Sequence, residues 1–383
     1  MKRKLRLALV HLDSFFPPAH GGAHMLRVLA EGLAALGHSV RVILALDDAN
    51  AAAPTAQTLA KLARVGVAAR ASPSGTVRFA QHRVHYSAVE GSSARFLPFV
   101  LSEIRHSGTD AVILTDVGGA AAHTLLRVVH DRFDGLIIYY PMTVHMLPAG
   151  PLSISPDPEA AAVVPRCRVI VPSAYCVQYL AEHFAAPSRC CIPPVFTPPA
   201  SAPDDPGTRF DRPIAMFNPN AWKGLPVLLG LADARPDLRF LARCAWRTSD
   251  DDMQALRARP NIAIHRQSTG DTTTLYDRAS VVLVPSLCHE SLGMVPIEAK
   301  LRGLPTLSSS HGGLAEAALG VPFSLPVAPI TFHPQADGSI RQEVPPQPLD
   351  PWLAALDQLA SDAVAFRELG DLSQCRASEF ARS

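Results

Sequence analysis

Glu290 and Glu298, eight positions apart, lie in the run His289-Glu290-Ser291-Leu292-Gly293-Met294-Val295-Pro296-Ile297-Glu298. The run follows the apolar stretch Val281 to Val284, and Gly293 stands just before a helical pattern, so the spacing predicts a strand end, a loop and a helix starting near Met294. A helix start has unbonded backbone N–H groups and suits a diphosphate. In the loop, the Glu290 carboxylate can accept hydrogen bonds from sugar hydroxyls; near the second helical turn, Glu298 can take a bidentate ribose contact. Each also has a plain alternative, Glu290 as a solvated loop acid and Glu298 as an exposed helix residue.

Such a site needs a scaffold that delivers strand ends to one place. Leu5 to His11 is a short apolar run, followed by Pro17-Pro18-Ala19-His20-Gly21-Gly22 and a helical pattern through Met25, Leu26, Leu29, Leu33 and Leu36 that stops at Gly37. Ser39 to Leu46 then supplies a second buried strand, and the resulting βαβ unit favours a parallel sheet. Further strands are expected at Ala111 to Thr115, Gly135 to Tyr139 and Val169 to Pro172, the last leading into a helix from Ser173 through Phe184. Gly21-Gly22 is too short for a dinucleotide fingerprint and is commonly a plain turn; between a strand and a helix it can let the backbone approach a diphosphate or an acceptor.

From Ile192 to Pro213 the chain is dense in proline, alanine, serine and aspartate, the composition of a linker. After it the pattern restarts with a strand at Ile214 to Phe217, a turn from Asn218 to Gly224, a helix from Leu225 to Ala232 and a strand from Leu238 to Cys244. Strands at Ile262 to His265, Ser280 to Val284 and Pro305 to Ser308 alternate with helices around Asp271 to Asp277 and Met294 to Arg302. The expected fold is α/β, with two Rossmann-like doubly wound lobes facing across a cleft where ligands bind. The expected boundaries are residues 1–195, a linker over 196–212, a second lobe over 213–350, and a helical region over 351–383 that could cross back to the first lobe.

At 383 residues the chain exceeds one ordinary core, in keeping with two lobes. With 48% apolar and 18% charged residues it is globular, and a formal net charge of +1 gives no basic surface for nucleic acid. The first 200 residues hold 18 Lys+Arg against 13 Asp+Glu, and the rest 17 against 21. That mild basic bias fits either an anionic acceptor or membrane surface, or ordinary surface scatter. Seven cysteines lack paired zinc-site spacing and read as reduced thiols in the cytoplasm. Arg6, His11 and Asp13 interrupt any signal-peptide core, and no apolar run reaches the ~20 residues that span a bilayer, which leaves peripheral membrane contact open.

The glutamate run, with Gly303-Leu304-Pro305 and Gly312-Gly313-Leu314-Ala315-Glu316 after it, resembles the retaining glycosyltransferases of family 4, whose pattern is Glu-x7-Glu, then Gly-x-Pro, then Gly-Gly leading to Glu. Phe217-Asn218-Pro219-Asn220-Ala221-Trp222-Lys223-Gly224 is similar to that family's strand-end turn ending in Lys-Gly. Gly21-Gly22, Leu36-Gly37-His38-Ser39-Val40 and Val171-Pro172-Ser173 extend the likeness, more loosely, through the first lobe. The resemblance implies the GT-B fold and a nucleoside diphosphate sugar, commonly UDP-linked, as donor. It implies that Glu290 and the backbone of Ser291, Leu292, Gly293 and Met294 meet sugar and diphosphate, and that Glu298 holds the ribose.

By the same likeness, Lys223, within a turn that includes Asn218 and Gly224, offsets the charge of the leaving diphosphate. His145, in Pro141-Met142-Thr143-Val144-His145, stands where the family often has a cleft histidine near the sugar's primary hydroxyl, or is a structural histidine. Many relatives carry an arginine five or six residues before the lysine; here Phe217 and Asn218 stand there, and Arg243 or Arg247 could replace it. The base would be met near Ile264-His265-Arg266-Gln267, without a choice of base being declared. The implied reaction is transfer with retention to an acceptor on the first lobe, near residues 145–155, that could be a small metabolite, a lipid or a polysaccharide. Lys223 and the helix start can handle the diphosphate, so no essential metal or other cofactor is expected. Two other readings stay open: a nucleotide-sugar epimerase of the same fold, and a non-catalytic nucleotide-sugar-binding protein.

Overall fold

The computed structural model describes residues 3–13, 21–46, 54–90, 93–185, 189–191, 196, 211–244, 248–266, 273–335 and 340–382, and the chain divides into two compact units, Met1–Val195 and Phe196–Ser383. Nearly all of the expected linker, 196–212, lies outside the described residues.

In the first unit nine strands form one sheet in the order Ala69–Ala71, Val77–Gln81, Val84–Glu90, Ser39–Leu46, Arg6–His11, Ala111–Thr115, Leu136–Tyr140, Arg168–Val171, Arg189–Cys191. Pairing is parallel except where Val77–Gln81 meets its two neighbours. Parallel strands covered by helices on both faces are apolar throughout, and all five residues of Ala111–Thr115 are buried. Residues 54–106, which carry no expected element, supply the helix Pro54–Arg64, the three strands at one sheet edge and the helix Ser93–His106. Val77–Gln81 alternates, with Val77 and Phe79 inward, and Ala69–Ala71 is brief, while His85, Ser87 and Glu90 break up the mostly buried Val84–Glu90, so none stands out as an apolar run. Ser173 caps the helix Ala174–His183 by accepting from the Cys176 N–H at 3.1 Å, as a Ser before an apolar pattern predicts.

Gly21 and Gly22 need correction: they are not the turn after the first strand but the first residues of the helix Gly21–Ala35, and residues 14–20 lie outside the described set.

The second unit has six parallel strands in the order Ile262–Arg266, Phe240–Cys244, Ile214–Phe217, Val282–Val284, Thr306–Ser309, Ser324–Leu325. Numbered within the unit this is 3-2-1-4-5-6, so the direction of winding reverses between Ile214–Phe217 and Val282–Val284. The proline-rich stretch from Pro322 holds, besides the last strand, an antiparallel hairpin of Thr331–Pro334 with Ile340–Glu343. The C-terminal helices Asp350–Ser361 and Ala363–Arg382 group with the second unit. Trp352, Leu356, Leu359, Phe366 and Leu369 pack with Ile214, Leu231 and Phe240, while Ala377 packs with Ile297 and Ala299. Burying those apolar faces within the cores of this unit is the reason. Among the described residues no helix is long and apolar enough to cross a membrane.

Candidate active site in the second unit

In an open α/β sheet the strand carboxyl ends at the winding reversal leave a crevice, because the two connections there depart to opposite faces. In the second unit the segments beginning there are 218–224 and 285–293, the two that carry Lys223 and Glu290. Asn218 adopts a positive φ of 51°, which asparagine tolerates, and its N–H donates to the Arg243 carbonyl at 2.8 Å. Asn220 caps the short 3-10 turn Ala221–Lys223 by accepting from the Lys223 N–H at 3.2 Å. Gly224 has φ +88°, and a Cβ there would lie 2.0 Å from the Pro285 carbonyl oxygen. Only glycine lets the two loops close at that point. The Trp222 carbonyl then accepts from the N–H groups of Leu287 and Cys288, at 2.9 and 3.2 Å. Trp222 is held from outside by the hairpin, with Nε1 donating to Gln342 Oε1 at 2.8 Å and its ring 5.1 Å from that of Phe332.

This stitching brings together two residues 67 positions apart. Lys223 Nζ donates to Glu290 Oε1, and Ser286 Oγ donates to the same oxygen at 2.8 Å. The side chains of Lys223 and Glu290 are 26% and 18% exposed, so the pair remains reachable from solvent. Burial works to lower the Lys223 ammonium pKa, and Glu290 more than offsets it, leaving the group above its ordinary 10.5 and charged. Gly312 and Gly313 press on the other side of the Glu290 loop: the Gly313 N–H donates to the Glu290 carbonyl at 2.7 Å, and a Cβ on Gly313 would sit 2.3 Å from the Ser291 carbonyl oxygen. His311 Nε2 donates to the Cys288 carbonyl at 3.1 Å, and Ser309 Oγ to the Ser286 carbonyl at 2.9 Å.

Beyond the loop, Ser291 and Leu292 are buried, and Gly293 at φ +92° opens the seven-residue helix Met294–Lys300. Glu298 lies on that helix, half-buried, and its Oε2 accepts from Tyr276 Oη at 2.7 Å. Where the arginine of relatives was expected, Phe217 is buried and its ring centroid is 4.8 Å from that of Tyr276. Arg243, 5% exposed, stands in register between Phe217 and His265. His265 and Arg266 end the neighbouring strand, and the buried Nδ1 of His265 has no hydrogen-bond partner among the described residues. Arg247 and Gln267 lie outside the described residues. Sequence reasoning missed Tyr276, Ser286, Ser309 and His311, none of which has a distinctive residue type or spacing.

A cavity of about 500 Å³ opens at the opposite, amino-terminal ends of these strands, lined by Ile214, Arg235, Arg239, Val281, Leu356 and Phe366 among others. Arg235 is bound there to Asp237 and Asp357, and Arg239 to the Asp211 carbonyl. Chemistry is better supported at the carboxyl ends, where cation, carboxylates and a helix start converge.

In the first unit, His145 lies in the 3-10 turn Val144–Met146, 1% exposed, with Nδ1 donating to the Leu152 carbonyl at 3.1 Å. Its loop is tied to the sheet by the buried Asp116, which accepts from the N–H groups of Met142 at 2.8 Å and Thr143 at 3.0 Å. Burial pushes the Asp116 carboxyl up to about 7, against the pull of those N–H donors.

Residues 250–319, which include Tyr276, Glu290, Glu298 and the Gly312-Gly313 pair, match the family model for glycosyl transferases group 1. No curated protein matches the sequence. Among solved structures, Anabaena HepE in complex with UDP and glucose is 15% identical with a TM-score of 0.68, covering 98% of this chain and 95% of that one. A glycosyltransferase from Rickettsia africae is 12% identical at 0.66, over 98% and 94%. The catalytic domain of Arabidopsis thaliana starch synthase IV, bound to ADP and acarbose, is 11% identical at 0.63, over 99% and 98%. The chain has the GT-B fold of two Rossmann-like units, and its second unit contains a glycosyl transferases group 1 segment.

Proposed function

We propose that the protein is a retaining glycosyltransferase of the family 4 type that moves a hexosyl group from a nucleoside diphosphate sugar to an acceptor. The observation that carries this is the Lys223–Glu290 pair at the winding reversal of the second sheet, with Glu298 on the short helix that follows the Glu290 loop. A bound diphosphate draws the Lys223 ammonium away from Glu290, which frees the carboxylate for the sugar hydroxyls. As the glycosidic bond breaks, negative charge grows on the leaving diphosphate, and a fixed cation in a partly water-excluded site stabilises that change more than it stabilises the ground state. The backbone N–H groups of 291–294 add to it. Glu298 takes the ribose, and the base lies toward His265 and Arg266. The UDP in the Anabaena structure and the ADP in the starch synthase structure support a donor of this class. Transfer with retention and a role for His145 come from the family likeness, and Arg243 is the proposed stand-in for the upstream arginine that this chain lacks; UDP is the first donor to try, and the cytoplasm is the proposed compartment.

The test is a panel of UDP-, GDP- and ADP-sugars incubated with the protein, following nucleotide release with and without acceptor extracts. Acceptor-dependent release is expected. A new sugar isomer without acceptor makes the protein an epimerase, and binding without turnover makes it a binding protein; either result overturns the proposal. Within the site, Glu298→Ala should weaken nucleotide binding and Glu290→Ala should chiefly slow transfer. Wild-type binding and turnover in both variants would remove the site assignment.

A further inference from the structure

Tyr276 occupies one side of the Glu298 carboxylate. It belongs to the helix Thr273–Asp277, is completely buried, and donates from Oη to Glu298 Oε2 at 2.7 Å. Its ring is held by Phe217 at 4.8 Å between centroids and by the Arg302 guanidinium 4.6 Å from the ring centre. Arg302 also donates from Nη1 to the Glu298 carbonyl at 2.9 Å, so the carboxylate's own helix helps hold the tyrosine. Among the described residues Glu298 Oε1 accepts no hydrogen bond, and Glu298 is only half-buried.

A buried phenol that leaves its partner loses its hydrogen bond with no water to replace it, so Tyr276 has little freedom to leave Glu298. A glutamate on a helix otherwise samples several rotamers, and fixing it before binding removes that entropy from the binding step. Burial and the nearby Glu298 charge raise the phenol far above its ordinary range, so it stays a donor at every working pH.

We propose that Tyr276 is a positioning residue that claims Glu298 Oε2, fixes the carboxylate in one rotamer and leaves Oε1 as the single oxygen offered to the vicinal hydroxyls of the donor's ribose. This rests on the donor reading above. Tyr276 does not touch the ligand; it acts through Glu298.

The test is calorimetric titration of the full chain with UDP, GDP and ADP, then with the 2′,3′-dideoxy analogue of whichever binds. Tyr276→Phe keeps the ring stack and is expected to weaken the ribonucleotide about 5- to 10-fold, within the range for immobilising one glutamate side chain on binding. Against the dideoxy analogue, which offers Oε1 no hydroxyl, the same substitution should change affinity less than twofold. In a Glu298→Ala background it should likewise have no effect on the ribonucleotide. A merely structural tyrosine would weaken both nucleotides alike and in both backgrounds. Equal losses, or no loss with the ribonucleotide, overturn the proposal while leaving the donor reading intact. Failure of the wild-type protein to bind any of the three nucleotides overturns both.

Discussion

Lys300 allows a stability prediction whose sign and size both come from its surroundings. It is 1% exposed in the helix Met294–Lys300, and Nζ donates to Thr306 Oγ1 at 2.7 Å and to the Ala317 carbonyl at 3.3 Å. Among the described residues no carboxylate pairs with it, and burial lowers its pKa from 10.5 to about 7. Between those values the unfolded chain binds the proton and the folded chain does not, so stability rises with pH across this window. The gap from 10.5 to about 7 corresponds to a penalty on the order of 4 kcal/mol at pH 7, falling to roughly 2 kcal/mol at pH 9.

Lys300→Met keeps the length of the side chain and removes the charge, at a cost of two hydrogen bonds of about 1 kcal/mol each. The variant should therefore be about 2 kcal/mol more stable than wild type at pH 7 and close to it at pH 9. All three tryptophans, Trp222, Trp246 and Trp352, lie in the second unit, so urea unfolding followed by tryptophan fluorescence reports on the unit that contains Lys300. Comparing the two proteins at each pH cancels the titration of every other group. A difference that stays constant from pH 7 to pH 9, or a variant less stable than wild type at pH 7, would mean that burial does not penalise the Lys300 charge in this way.

Lys223→Ala should lower the transfer rate by roughly 100-fold or more, with a smaller effect on nucleotide affinity, as read from kcat against a binding titration. Gly313→Ala must push the Ser291 carbonyl away from a Cβ at 2.3 Å, and thermal melting should show a loss of at least about 2 kcal/mol. Asp116, raised to about 7 in the folded chain from an ordinary 3.8, takes up protons more readily than the unfolded chain. Its contribution to stability is fully present below pH 3.8 and is lost as pH rises to about 7; Asp116→Asn should flatten that decline in circular-dichroism melts over pH 4–7.

Much of the fold is legible because parallel strands buried on both faces are short unbroken apolar runs. Ser39–Leu46 has the bounds the pattern predicts, and the strands that carry the second unit differ from expectation by a few residues at their ends. The edge of the first sheet is not legible, since Ala69–Ala71 is brief, Val77–Gln81 alternates, and His85 and Ser87 interrupt the apolar residues of the buried Val84–Glu90. The C-terminal helices are helical in pattern, but an amphipathic face does not name the core that covers it.

The candidate site divides the same way. Local sequence determined which residues stand at strand ends and helix starts: the loop and helix of 285–300, the turn ending in Lys223-Gly224, and the glycine pair 312–313. Those features depend on backbone conformation within a few residues, which composition and spacing control. Tertiary structure alone decided that Lys223 meets Glu290, that Phe217 packs against Tyr276, and that Tyr276 takes one oxygen of Glu298. Those pairings are set by the 3-2-1-4-5-6 winding, which sends connections 221–224 and 285–293 past the same strand ends. A contact between residues 67 positions apart leaves no trace in either local segment; it exists because Gly224 and Gly313 let three loops approach closer than any side chain would permit.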